Sequence, residues 1–364
     1  MTTPAATGVL PDHALRALID AGAIRATPAI DDAQVQPASL DLRLGEVAYR
    51  VRASFLAGAG RRVADRLDAF EMHRMDLRAG AVLEKGCVYV VPLAESLALP
   101  GDLHGVTNAK SSTGRLDLLT RVITDSGTEF DRVPAGYDGP LYAEICPRSF
   151  SVLVRPGMRL NQLRLRRGQA VLDDAALRAL HDAVGLVGGG PARIDGGLGF
   201  SVDLSPRAGG VLGYRAKPHA GVIDLDRIGA YDPAAFWDRL SGEDGQLILD
   251  PGAFYILVSR EAVHIPPDHA AEMAPYLAMV GEFRVHYAGF FDPGFGHAAA
   301  GGQGARGVLE VRCHEAPFVL EHGQVVGRLV YERMAARPER LYGAGLQSNY
   351  QGQGLKLSKH FRAR

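Results

Sequence analysis

After one helical segment near its start, the chain carries its apolar residues in short runs that alternate with polar ones. The runs CVYVVPL (87–93), LYAEICP (141–147), FSVLVRP (150–156) and LRLRR (163–167) are bounded by Gly or Pro, which is strand punctuation. AFYILVS (253–259), GVLEVRC (307–313) and FVLEHGQVVGRLVYE (318–332) read the same way. Three stretches read as helices. In HALRALIDAGAI, Leu15, Leu18 and Ile19 share a face, Asp12 stands where a cap belongs and Gly22 follows as a stop. DDAALRALHDAVGLV (173–187) is a second helix and runs into GGGPARIDGG (188–197), the most linker-like stretch of the chain. DPAAFWDRL (232–240) is a third, with Asp232 as cap and Pro233 in the first turn. This order predicts a mostly β fold, a jelly-roll-like barrel, rather than a βαβ arrangement.

The two halves repeat each other. VYVVPLAESLALP echoes FYILVSREAVHIP, and LYAEICPRSFSVLVRPG echoes VLEVRCHEAPFVLEHG. Pro100 and Pro266, Glu144 and Glu310, and Gly157 and Gly323 are each 166 residues apart, and Ser39-Val/Leu-Asp-Leu patterning recurs at Ser201. Three pairs at one spacing mark a tandem duplication. With 364 residues the expected division is 1–190 and 191–364.

Composition narrows the partners. Forty basic and forty-one acidic residues give a net charge of −1, which argues against a nucleic-acid polymer and leaves room for a small anionic ligand. Three cysteines without CxxC spacing suit a reducing cytoplasm. The start, MTTPAATGVLPDHAL, reads as no signal peptide, and no run approaches the roughly 18 apolar residues of a membrane span.

The chemistry has few candidates. HExxH, GxSxG, the Walker loop and the HxE…PCxxC zinc-deaminase pattern are all missing from the sequence. Lys110-Ser-Ser-Thr-Gly-Arg115 gathers two cations, hydroxyls and a glycine, either a cradle for phosphate oxygens or a polar surface turn. Glu144 sits mid-strand, sharing a face with Tyr142 and Cys146, either solvated or poised in a pocket. AGFFDPGFG (288–296) and its less regular partner DRVPAGYDG (131–139) are turn chemistry at the least. SNYQGQGLKLSK (348–359) is a polar, glycine-rich tail, disordered or functional.

Taken in order, PASLDLRLG (37–45), KSSTGR, Glu144 followed by RPGM (155–158), GFFDPGFG and YQGQ (350–353) resemble the dCTP deaminase branch of the dUTPase-like superfamily, in a long form with two fused repeats. The resemblance implies a tandem dUTPase-like distorted β-barrel that trimerises, with sites between neighbouring barrels. It implies hydrolysis of dCTP to dUTP and ammonia without zinc, magnesium arriving on the triphosphate. By residue it implies Glu144 as general base for water attacking C4. Ser111 would hold the water or amine, and Arg115 would keep Glu144 ionised. Lys110, Ser112, Thr113 and Gly114 would face the phosphates. Arg132, Tyr142 and Ala143 would line or support the base site, and Tyr342 and Gln353 would close over the nucleotide.

Neither repeat is complete. The family's turn Asp is absent from Pro134-Ala135-Gly136 but present at Asp292, whereas the second repeat keeps Glu310 and has Met273–Val280 where KSSTGR should be. If like repeats meet around a three-fold axis, Glu144 does the chemistry. The alternative joins KSSTGR to Asp292 and Glu310. The competing functions are a dUTPase, a bifunctional deaminase–dUTPase that forms dUMP, and a nucleotide-binding regulator without catalysis.

Overall fold

The computed structural model describes residues 6–188, 191–205, 210–242, 244–275, 283–285, 289–343, 352 and 354–363. Its strands outnumber and outlast its helices, as the alternating runs predict. The described residues form two units. One holds the chain up to Ala170 with Gly221–Ile228 and Met334–Glu339; the other holds Val171–Ala220, Gly229–Arg333 and the chain from Arg340 onward. The changeover at Ala170 precedes the glycine-rich stretch at 188–197 because the intervening helix packs into the second core: Leu172, Leu177 and Leu186 are buried in it.

In the first unit we label α1 (Asp12–Asp20), β1 (Ser39–Arg43), β2 (Val47–Val51), α2 (Val63–Phe70), β3 (Glu71–Asp76), β4 (Val88–Ala98), β5 (Leu103–Ala109), α3 (Ser111–Gly114), β6 (Leu118–Thr124), β7 (Asp138–Pro147) and β8 (Arg159–Arg167). One antiparallel sheet runs β5-β8-β1, with Arg132–Val133 outside β5, and the other runs β6-β7-β4-β2-β3. Inward residues such as Leu40, Leu42, Val91, Ile145 and Leu163 are fully buried. A buried polar cluster ties β1 to β4. Glu95 Oε1 accepts from Arg43 Nε (2.8 Å) and Gln34 Nε2 (2.9 Å), and Oε2 accepts from the Arg43 backbone N–H (2.8 Å). With both oxygens hydrogen-bonded and a cation beside them, the charge is buried at tolerable cost.

The second unit has α4 (Asp174–Val184), β9 (Leu198–Ser201), β10 (Gly213–Ala216), α5 (Pro233–Phe236), β11 (Phe254–Val263), β12 (His269–Pro275), β13 (Ala305–Cys313) and β14 (Val325–Arg333). Its sheets run β10-β11-β13 and β9-β14-β12. The duplication is visible in register: Glu144 of β7 faces Val90 of β4, and Glu310 of β13 faces Ile256 of β11, each member 166 positions on.

Three local expectations change. Asp12 is not the cap of α1; Pro11 holds that position, and the buried Asp12 carboxylate accepts the Glu339 backbone N–H at 2.9 Å. The helix at 232–240 ends at Phe236, because Trp237–Leu240 pairs as a strand with β10. Its start is as expected, with Asp232 accepting the Ala234 N–H. Helix α2 was not expected at all. The tail is ordered at its end: Phe361 packs edge-on against Tyr231, Phe236 and Trp237.

Candidate functional site

KSSTGR folds as a single helical turn linking β5 in one sheet to β6 in the other. The Lys110 carbonyl accepts the Thr113 and Gly114 N–H groups, and the Lys110 N–H is fixed to the Leu160 carbonyl at 2.8 Å. Ser112, Thr113 and Arg115 are buried, while Lys110 and Ser111 are half-exposed. The Lys110 ammonium forms an ion pair with Asp41 of PASLDLRLG, so two separate pieces of sequence meet at one point. The turn is therefore an anchored element, not a loose polar loop.

Glu144 lies in β7 with Tyr142 on the same face, as strand alternation requires. That face is neither solvated nor open. Val51, Phe55, Ala57, Val63, Leu67, Val90, Ile123 and Tyr142 form a second apolar cluster over it, with Phe130 against them. Glu144 is 2% exposed. Its ion partner is Arg121 of β6, directly opposite in the ladder, and not Arg115. Arg121 Nε donates to Glu144 Oε1 at 3.2 Å and Nη2 donates to the same oxygen, while the Ser54 hydroxyl donates to Oε2 at 2.6 Å. The Arg121 guanidinium carbon stands 3.6 Å from the centroid of the Phe130 ring, a stacked cation–π contact. Burial pushes the Tyr142 hydroxyl and the Cys146 thiol above their ordinary ranges.

The cover over Glu144 comes from the chain between β2 and β3. Phe55 stacks on Phe70 at 5.3 Å, and Arg52 and Arg66 both stand 4.9 Å from the Phe70 ring. Three hydrogen bonds pin it to the turn after β6: Gly58 N–H to Gly127 O (2.9 Å), Ser126 N–H to Arg61 O (2.7 Å) and Val63 N–H to Asp125 Oδ1 (2.7 Å).

Other expected residues are placed apart from this cluster. Ala143 is fully buried on the opposite face of β7. Arg132 belongs to the other sheet, with its side chain 62% exposed and 3.6 Å from Glu129. In the second unit, Asp292 and Glu310 are both buried. The Asp292-Pro-Gly turn meets Tyr342: the Tyr342 N–H donates to the Pro293 carbonyl at 2.8 Å, and its ring lies 5.6 Å from Phe295. Glycine is required in this turn. Gly296 has φ +66°, and a Cβ there would collide with the Val263 carbonyl and the Ala305 nitrogen. Gln353 lies outside the described residues, as does most of Met273–Val280. Among the described residues, no group of three or more His, Cys, Asp or Glu side chains could hold a metal ion.

Sequence reasoning missed Arg121, Ser54 and Phe130. Arg121 was within reach, because LLTRVIT and LYAEICP pair as a hairpin that sets the one cation opposite the one carboxylate. Ser54 carries no such signal.

Comparison with known proteins extends over both units. Residues 6–169 match the family model "2'-deoxycytidine 5'-triphosphate deaminase (DCD) N-terminal domain", and residues 173–361 match that of the C-terminal domain. A protein of Parafrankia sp. (strain EAN1pec) named "dCTP deaminase, dUMP-forming" is 32% identical over 160 residues, 44% of this chain and 76% of that one. A "dCTP deaminase" of Shewanella amazonensis is 28% identical over 167 residues, 43% of this chain and 82% of that one. The crystal structure of 2'-deoxycytidine 5'-triphosphate deaminase from Agrobacterium tumefaciens is 57% identical, covers 90% of this chain and 99% of its own, and superposes with a TM-score of 0.87.

Proposed function

This chain belongs to the 2'-deoxycytidine 5'-triphosphate deaminase family, enzymes acting on the cytosine amino group, and from that premise we propose that it hydrolyses dCTP to dUTP and ammonia. The observation that carries the reading is the 57% identity to the Agrobacterium tumefaciens deaminase over 90% of the chain, both repeats included. The relatives named as dUMP-forming match less than half of it.

The reaction adds water at C4 and breaks the C4–N4 bond. A carboxylate takes a proton from the attacking water and passes it toward N3 and the departing amine, which leaves as ammonia. Two strand carboxylates, Glu144 and Glu310, stand at equivalent positions for that role. The anchored turn Lys110–Arg115 suits the triphosphate end, with Ser111 its half-exposed hydroxyl and Lys110 its half-exposed cation. Magnesium enters as part of the substrate, chelated by the triphosphate. Tyr342, whose N–H bonds to the Pro293 carbonyl beside Asp292, leads the tail over the nucleotide in this reading. Dependence on a trimer of dUTPase-like barrels and a cytoplasmic setting belong to the same reading.

A second reading, dCTP to dUMP, rests on the names of the Parafrankia relative and of one from Mycobacterium ulcerans (33% identical over 169 residues, 43% of this chain and 78% of that one). Incubation with magnesium and dCTP, followed by anion-exchange separation and an ammonia assay, tests both. Equal amounts of dUTP and ammonia are expected. Pyrophosphate with dUMP and no free dUTP would replace the first reading by the second, and dUTP cleavage without any ammonia from dCTP would remove both.

A further inference from the structure

The two repeats build the same turn. In the first, the Tyr137 N–H donates to the Pro134 carbonyl (3.2 Å) and the Leu99 N–H to the Tyr137 carbonyl (2.9 Å). In the second, the Phe295 N–H donates to the Asp292 carbonyl (3.1 Å) and the Ile265 N–H to the Phe295 carbonyl (2.9 Å). The second repeat adds a side-chain strut. Asp138, next after the first turn, faces Ala98 in the β4–β7 ladder. Gly296 follows the second turn in the same way, and the residue 166 positions on from Ala98 is His264. The His264 ring lies 2.9 Å through Nδ1 from the Gly296 carbonyl, and because a carbonyl only accepts, Nδ1 carries the proton. The same carbonyl accepts the Gly304 N–H at 2.8 Å.

The strut is fixed at its base. The His264 N–H donates to the Leu186 carbonyl (3.0 Å), and its own carbonyl accepts the hydroxyl of the buried Tyr331 (3.0 Å). What it holds carries the candidate chemistry. Asp292 is buried in the turn, and the Tyr342 N–H donates to the Pro293 carbonyl at 2.8 Å. The first turn, which has no such strut, has Pro134 where the second has Asp292.

We propose that His264 is a positioning residue for the reaction: its ring fixes the Asp292–Gly296 turn, and the seat of Tyr342 on it, in the geometry that takes the nucleotide. This rests on the deaminase reading above, so wild-type ammonia release from dCTP is measured first. Asparagine is the discriminating substitute, because its amide nitrogen is bonded to Cγ as Nδ1 of histidine is, whereas glutamine carries its amide one carbon farther out. His264→Leu should raise the KM for dCTP about tenfold, the scale of one positioning hydrogen bond, and keep kcat within about threefold. His264→Gln should behave like His264→Leu, and His264→Asn should stay within about threefold of wild type in both constants. Hydrogen exchange at the Tyr342 amide gives a readout independent of turnover: faster in the Leu and Gln variants, unchanged in the Asn variant. Thermal melts of the full-length proteins accompany both, and His264→Gln stands in for His264→Leu if the latter does not fold. Wild-type KM with wild-type Tyr342 exchange in the Leu and Gln variants overturns the proposal, as does an Asn variant as impaired as Leu. A fall in kcat at unchanged KM also overturns it, since that assigns the ring to the chemical step. If wild type releases no ammonia the deaminase reading has failed, and the exchange pattern alone decides whether the strut holds the turn.

Discussion

Replacing Arg121 by Met while leaving Glu144 in place should be among the more damaging single changes in the first unit. Glu144 is 2% exposed, and among the described residues Arg121 supplies the positive charge paired with it. Breaking a buried ion pair from one side typically costs about 3–5 kcal/mol, because the remaining charge stays desolvated. The Arg121 side chain is 29% exposed, which places the expected cost near the lower end, about 3 kcal/mol. Loss of the contact with Phe130 adds about 0.5–1 kcal/mol. R121M/E144M removes both charges and should recover most of this, since apolar replacement of a buried pair is often neutral. The coupling between the two sites should therefore be about 2–3 kcal/mol. A single melting curve is a poor assay for a chain with two units, and Trp237, the one tryptophan, lies in the second. Hydrogen exchange at the β6 and β7 amides under native conditions reads the right region, with the amides around Trp237 as the internal reference. A single variant costing under about 1 kcal/mol, or a double variant no more stable than the single, would refute the description of this pair as buried and self-contained.

Further outcomes follow from other parts of the molecule. Activity should survive a zinc-selective chelator and require magnesium, as no described side-chain cluster offers a metal site; stoichiometric zinc lost together with activity would reverse this. Arg155 hydrogen-bonds to Asp224 and holds its carboxyl below the usual carboxylate range. A depressed pKa contributes stability that is present above the unfolded value near pH 4 and lost as pH falls through the folded value. Arg155→Met should thus speed exchange of the Ile223 and Leu225 amides at pH 7 but not near pH 2, and an equal effect at both would exclude the ion pair as cause. Gly296→Ala should cost at least about 2 kcal/mol through its left-handed backbone and the collision with Val263, and unchanged hydrogen exchange at the Gly294 and Phe295 amides would show that the turn differs from the one described. Tyr137→Phe removes a hydroxyl that donates to the Pro140 carbonyl (2.6 Å) and accepts the Asp125 N–H (3.0 Å). About 1–3 kcal/mol should be lost, checked by urea unfolding of the two proteins side by side.

Strand alternation located β4, β7, β11 and β13 because one face of each is core and the pattern is local. What it could not locate depends on distant partners. Helix α2 carries Val63, Leu67 and Phe70 at helical spacing, yet Arg62 before it has no capping side chain. The cap is Asp125, sixty-two residues away, reaching the Val63 N–H. Asp12 misled in the opposite sense: a residue with cap chemistry at a helix start serves the Glu339 backbone instead, and Pro11 begins the helix. At 232–240 the Asp-Pro start was correct and the length was not, because pairing of Trp237–Leu240 with β10 outweighs helix continuation.

The site was legible as a set of pieces, and how the pieces pair depends on partners at different distances along the chain. Glu144 and Glu310 share a strand position, a register and a 166-residue spacing. The hairpin pairing of LLTRVIT with LYAEICP brings Arg121 to Glu144 and was readable, since antiparallel register is a local rule. The third partner was not, because Ser54 arrives from a segment ninety residues upstream whose path is set by Phe55, Phe70 and the bonds at Gly58 and Arg61.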